Sequence, residues 1–268
     1  MRLDQVGVVP ERTDDPQEAL RLVRRDGAAI LTGLGRDPED GRQVAKDVFG
    51  DKLLAVPPAA VVNEGGDKDR RPMGLSYRTR SNCHSDGYAY GDKYPDYIIL
   101  LCNKHSEEGG ESFLVDGYKM LEVMAEDPEL GWIPPALATV PINQTESGMQ
   151  PSTSTIVKTS PNGRKMLLMA NEIDQRPHDD STDPDRDQEM LVKWRETIYE
   201  ATDHIPHFKL YPGEAYIVDN YRLFHGREAY ADIGRNMWRV WVWTQDCAFG
   251  LPDGLLHSDS RNARLKAS

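Results

Sequence analysis

Apolar residues along this chain recur with two different periods, and each period predicts one kind of element. Between residues 15 and 25, Ala19, Leu20 and Val23 fall at helical spacing behind Asp14, Asp15 and Pro16, which supply cap and first-turn chemistry, so a helix is expected up to Gly27. The run Ala28-Ala29-Ile30-Leu31, closed by Gly33, reads as a short buried strand, and a second helix is expected over 38–49. Residues 63–82 are polar, charged and without sustained period, which predicts a loop. The continuous apolar run 97–102 predicts a strand covered on both faces, and 112–115 another, with Asp116 placed to cap a following helix.

Farther along, 155–158 and 166–169 flank the turn residues Pro161-Asn162-Gly163, as in a hairpin. Over 184–203, Met190, Leu191, Trp194 and Ile198 share one helical face behind acidic residues. From there the pattern turns to β. Pro212-Gly213-Glu214 turns into 215–218, Asp219-Asn220 turns into 221–225, and 237–244, rich in tryptophan and valine, forms the last strand. The sum is a mainly β chain with flanking helices, a β-sandwich or jelly roll, with an insertion over about 132–205. A sheet built from alternating βαβ units fits poorly.

With 268 residues, 38% of them hydrophobic, and scattered rather than clustered prolines and glycines, a single domain over 1–268 is expected. The net charge of −12 makes the average surface repel phosphate backbones and anionic headgroups, which argues against nucleic-acid and membrane partners. Cys83, Cys102 and Cys247 are too few and too dispersed for a disulfide framework or a CxxC zinc site, and suit a reducing compartment. The N-terminal residues lack the pattern of a signal peptide, and no apolar run approaches membrane-spanning length, so a cytoplasmic location is expected.

The candidate chemistry lies in His84-Ser85-Asp86. In an extended segment residues i and i+2 point to one side, so both could grip one cation. Alone this is weak, because 7 histidines and 44 carboxylates in 268 residues give about one His-x-acid pair by chance. His225, at the end of a predicted strand, completes a set of two imidazoles and one carboxylate, the facial triad that leaves positions open on iron; zinc is chemically possible with the same ligands. Arg239 falls on the same face as Met237 and Trp241 in an otherwise apolar strand, where a guanidinium demands an anion, either a protein carboxylate or a bound one. His105, His178, His204 and His207 read as exposed or satisfied histidines.

These residues resemble the taurine dioxygenase-like iron(II)/2-oxoglutarate-dependent oxygenases, the group of clavaminate synthase and gamma-butyrobetaine hydroxylase. The HxD pair precedes a glycine segment, Gly109-Gly110-Glu111-Ser112, with Ser112 28 residues after His84, and Arg239 follows the distal histidine by 14. The resemblance implies a double-stranded β-helix, with His84, Asp86 and His225 holding Fe(II) and Arg239 and Ser112 holding the far carboxylate of 2-oxoglutarate. Arg235 lies near a position that contacts the co-substrate in some relatives, the alternative being a turn-exposed arginine. It also implies dioxygen as co-substrate and oxidation of a C–H bond coupled to decarboxylation of 2-oxoglutarate to succinate. Because relatives that halogenate replace the carboxylate ligand, Asp86 points to hydroxylation, desaturation or cyclisation. Tyr77, Arg78, Arg80, Tyr88 and Tyr90 flank the HxD pair and are candidates for contact with a small polar metabolite of specialised biosynthesis, or are packed aromatics and solvated cations. The competing readings are a zinc- or iron-dependent hydrolase or isomerase on a jelly roll without 2-oxoglutarate, and a non-catalytic scaffold.

Overall fold

In the computed structural model the described residues are 1–62, 79–145, 152–169, 174–232 and 234–253. Local chemistry sets the first helices as their sequences predict. The Asp15 side chain accepts from the Gln17 N–H at the start of α1 (Pro16–Asp26), and Gly27, at φ 88°, closes it. Asp37 and Asp40 form a capping box on α2 (Pro38–Phe49). Asp116 caps α3 (Gly117–Ala125) by accepting from Tyr118 and Lys119 N–H groups, and α4 (Ile133–Thr139) and α5 (Pro184–Ala201) follow.

The strands in chain order are β1 Glu11–Thr13, β2 Ala28–Leu31, β3 Leu53–Ala55, β4 Ala60–Val62, β5 Ser81–His84, β6 Tyr97–Lys104, β7 Ser112–Asp116, β8 Ile142–Thr145, β9 Ser152–Ser154, β10 Val157–Thr159, β11 Lys165–Leu167, β12 Asp174–Pro177, β13 Ala215–Asp219, β14 Leu223–Arg227 and β15 Asn236–Thr244. The large sheet runs β1-β2-β13-β6-β15-β3, with β4 also paired to β15, and a smaller sheet runs β5-β14-β7. The sheets β12-β8-β9 and β10-β11 lie off these two and carry the middle of the chain.

Strand alternation divides the interior into layers. One face of the large sheet (Ala29, Leu31, Ile99, Leu101, Val240) packs on α1 and α2 through Leu22, Val23, Val44 and Val48. Its other face (Ile30, Leu100, Tyr216, Met237, Trp241) packs against Leu114 and Leu223 of the small sheet. The outer face of the small sheet, Phe113, Val115 and Phe224, is covered by Met120, Leu137, Trp194 and Ile198 of α3, α4 and α5. The site described below sits between the two sheets.

The structure departs from the sequence expectation in places where pairing, not pattern, makes the strand. Ser81 and Asn82 belong to β5 and not to the predicted loop, because β14 supplies the ladder for a segment whose polar residues carry no period. The strand expected from 221 starts at Leu223, since Asn220 N–H donates to Asp96 O and keeps that segment in the turn. The short strands β3 and β4 form on β15 without a pattern of their own. The expected hairpin is β10–β11, and the Arg164 guanidinium beside it reaches Asp96 and Asp219 next to β6 and in β13. No helix among the described residues is long and apolar enough to cross a membrane.

Candidate metal centre

The β5–β14 register sets His84 directly opposite His225, so two residues 141 apart in the chain become a cross-strand pair with ring centroids 4.3 Å apart. The register shifts between His225 and Arg227, an irregularity of the kind that re-aims side chains beside active sites. Gly226 permits the approach: a Cβ there would lie 2.2 Å from the Phe113 ring and 2.6 Å from the Ser81 carbonyl. Asp86, just beyond β5, turns its Oδ1 to within 3.7 Å of His84 Nε2 and 3.9 Å of His225 Nε2. One ligand atom from each of the three residues lies within 4.8 Å of the others, and among the described residues no second such cluster of three occurs.

Protonation suits a divalent cation. Burial, then the charge of His84, pushes the His225 imidazole down to about 3, and burial lowers His84 as well, so both rings are neutral near pH 7. The His84 Nδ1 lies 2.8 Å from the Asn82 carbonyl, which as N–H donor leaves the Nε2 lone pair facing Asp86. Burial alone would raise the Asp86 carboxyl, but Arg239, His225, His84 and the Trp241 N–H hold it at about 2, so it is charged. Asn220 takes part here as well, with no sign of it in the local sequence. Fully buried, it accepts from the Asp86 N–H at 2.9 Å and donates to the Asp86 and Pro95 carbonyls, fixing the backbone at the carboxylate ligand. Asn220 was legible only as a turn residue; its partners come from another strand end.

Beside the triad lies a pocket lined by both imidazoles, Ser112, Leu100, Tyr216, Arg227, Arg235 and Arg239, apolar walls with a few convergent polar groups of the kind that make small-molecule sites. Leu100 and Tyr216 are register partners on β6 and β13, and Ser112 is opposite Arg227 on β7 and β14, so both sheets contribute walls. Arg235 is not turn-exposed: it is 3% accessible and lines this pocket, and its Nη1 has no hydrogen-bond partner among the described residues. The Gly109-Gly110 segment covers it, where a Cβ on Gly110 would stand 3.0 Å from Arg235 Nε. Burial lowers its guanidinium below the usual arginine range. Arg239 shares the inward face with Trp241, its guanidinium 4.8 Å above that ring, and its Nη1 donates to Asp86 Oδ1 at 3.3 Å.

The candidates around the HxD pair separate. Arg80 faces protein carboxylates rather than a cavity mouth, pairing with Asp203 at 2.7 Å and Glu228 at 2.8 Å, and so tying β5 to the end of α5 and to β14. Tyr90 packs edge-on against Trp241 and Trp243. Tyr77, Arg78 and the side chain of Tyr88 lie outside the described residues. His207 sits between Glu228 and the Thr202 carbonyl, a satisfied histidine.

The donor set fits a facial metal site, and the buried guanidinium with one nitrogen unpartnered among the described residues fits an anion bound beside it. Comparison with known proteins agrees. The chain is 26% identical over 234 residues to the trimethyllysine dioxygenase of Meyerozyma guilliermondii, covering 80% of this chain and 55% of that protein, so it spans about half that relative's length. Its fold matches PvcB from Pseudomonas aeruginosa at TM-score 0.58 and 21% identity, over 85% of this chain and 79% of that one. It also matches an asparagine oxygenase, solved with Fe(II), 3-hydroxyasparagine and succinate, at TM-score 0.61 and 17% identity over the same shares. The model of one family, described as taurine catabolism dioxygenase TauD, TfdA family, matches residues 5–241, which removes the hydrolase or isomerase alternative. The chain therefore belongs to the TauD/TfdA dioxygenase family.

Proposed function

We propose that this protein is an iron(II)- and 2-oxoglutarate-dependent dioxygenase that couples conversion of 2-oxoglutarate to succinate with oxidation of a C–H bond in a small polar metabolite. The observation that carries the reading is a buried Arg235 with a partnerless nitrogen in the same pocket as His84, Asp86 and His225. The iron, when bound, supplies the activation of dioxygen; His84 Nε2, Asp86 Oδ1 and His225 Nε2 hold it. Arg235 and Ser112 hold the far carboxylate of 2-oxoglutarate, because Arg235 is buried and its Nη1 has no partner among the described residues, while Arg239 Nη1 is engaged with Asp86. Arg239 then lies on the metal side, next to the near end of the co-substrate. This assignment exchanges the weights that spacing alone gave the two arginines. Leu100 and Tyr216 form an apolar wall that keeps water from the co-substrate stem.

The two facing sheets are read as a double-stranded β-helix, and 1–268 as one oxygenase domain in which 132–205, with its separate small sheets, is an insertion. The charged Asp86 keeps the reaction to hydroxylation, desaturation or cyclisation, and specialised biosynthesis is the setting we assign to the metabolite. The three free, buried cysteines suit a reducing cytoplasm. Anaerobic titration tests the central reading: Fe(II)-loaded protein should develop a weak visible charge-transfer band on adding 2-oxoglutarate, and Arg235→Leu should require far more 2-oxoglutarate to reach it. A wild-type protein that binds iron and stays colourless with saturating 2-oxoglutarate sinks the proposal.

A further inference from the structure

Asp86 presents a problem that the triad alone does not solve. A carboxylate has two equivalent oxygens and can bind a cation through one or both. If Asp86 chelated through both, it would occupy one of the three positions that a facial triad leaves open. In this structure the two oxygens have different partners. Oδ1 is the atom nearest both imidazole Nε2 atoms and accepts from Arg239, whereas Oδ2 accepts from the indole N–H of Trp241 at 2.9 Å. Both donors stand two residues apart on β15, so strand alternation aims them at the same carboxylate.

The indole is itself held. Trp241 is 1% exposed, Tyr90 meets it edge-on at 5.7 Å, Trp243 at 6.3 Å, and the Arg239 guanidinium lies over its face. A side chain so enclosed has little freedom to withdraw its N–H. From this geometry, and resting on the metal assignment above, we infer that Trp241 is a positioning residue that reserves Asp86 Oδ2 and so restricts the carboxylate to one bond, through Oδ1, to the metal. Tyr90, which flanks the HxD pair in sequence, acts in support by buttressing the indole. Partners of metal ligands at this remove ordinarily change metal affinity about 10- to 100-fold when lost.

The test uses metal-free full-length protein titrated with Co(II), following affinity by calorimetry and ligand geometry by the visible spectrum of the bound ion. Trp241→Phe keeps the ring and removes the N–H. It should weaken Co(II) about 10- to 100-fold and alter the band shape of the bound ion. Trp243→Phe is the control: Trp243 is equally buried, touches the same Tyr90 and donates to the Lys93 carbonyl instead. That variant should bind Co(II) as wild type does, with an unchanged spectrum. Should Trp241→Phe fail to fold, replacing the indole of residue 241 by benzothiophene preserves the shape and removes only the donor, with the same expectation. Equal affinity and spectrum in wild type and the residue-241 variant overturn the inference, as does an equal loss in Trp243→Phe. A wild-type protein that takes up no Co(II) would instead bring down the metal centre itself.

Discussion

Two arginines, Arg164 beside the β10–β11 hairpin and Arg235 in the pocket by the triad, are treated by the fold in opposite ways. Arg164 is fully engaged: it donates to Asp96, Asp219 and the Asp246 carbonyl and lies 5.1 Å from the Tyr97 ring and 4.5 Å from the Tyr221 ring. Arg235 is more deeply buried, rests against the Tyr230 ring at 5.1 Å, and has one nitrogen without a partner. A buried cation left short of partners is expensive, and the proposed function has a bound anion complete it. The first arginine is a joint between the β10–β11 hairpin and the large sheet; the second, on the proposed function, keeps a place for an anion.

The comparison breaks first at the joint. Arg164→Met should lower unfolding free energy by about 3–5 kcal/mol, because it strands Asp96 and Asp219 without their counter-charge. Urea denaturation measures this, and a loss below about 1 kcal/mol would show that the network is not a joint. At the anchor the outcome should invert. Arg235→Leu should leave stability unchanged or raised, yet weaken 2-oxoglutarate by about 2–5 kcal/mol of binding free energy, the scale for truncating one partner of a buried charged pair. A variant that unfolds like Arg164→Met while binding 2-oxoglutarate normally would reverse the two roles.

Acid should separate the same two regions. The folded-state value of His225, about 3, lies below its unfolded value near 6.5, so its contribution is complete above 6.5 and is lost as pH falls toward 3. Asp96 has the contrary sign. Burial raises it to about 6, against the partial opposition of Arg164, so its contribution is complete below about 3.8 and is lost as pH rises toward 6. In metal-free protein, His225→Gln should therefore flatten the acid limb of stability by up to about 1.4 kcal/mol per pH unit, and Asp96→Asn should steepen it. Matching slopes in the two variants would contradict this sign assignment; thermal melts from pH 3 to 7 give the slopes.

The smallest effect belongs to Arg80, a paired arginine whose side chain is 32% exposed. Arg80→Ala should lower stability by about 1 kcal/mol after solvent screening and leave 2-oxoglutarate affinity alone. If instead the KM for the metabolite rises tenfold with stability intact, Arg80 faces substrate after all, as its place before the HxD pair first allowed.

How much was legible in the sequence varied with the range of the interactions involved. Caps and amphipathic faces are local, so Asp15, Asp116 and the buried row Met190, Leu191, Trp194 and Ile198 announced their helices. The apolar run of β6 did the same for a central strand, all but its last two residues being buried. Strands such as β5, whose Ser-Asn-Cys-His carries no period, exist only because β14 pairs with them. Arg235, between Gly234 and Asn236, has the local look of an exposed turn; Gly110, more than a hundred residues earlier, packs over it, and the Tyr230 ring flanks it.

The sequence by itself determined the candidate metal ligands as types and order, the cationic residues available to an anion, and the mainly β character, since these depend on side-chain chemistry and short-range period. Tertiary structure alone decided which histidines face each other, which arginine keeps a buried nitrogen without a partner among the described residues, and which donors meet each oxygen of Asp86. Those are questions of register and of which groups exclude water from one another, and strand pairing across the chain answers them.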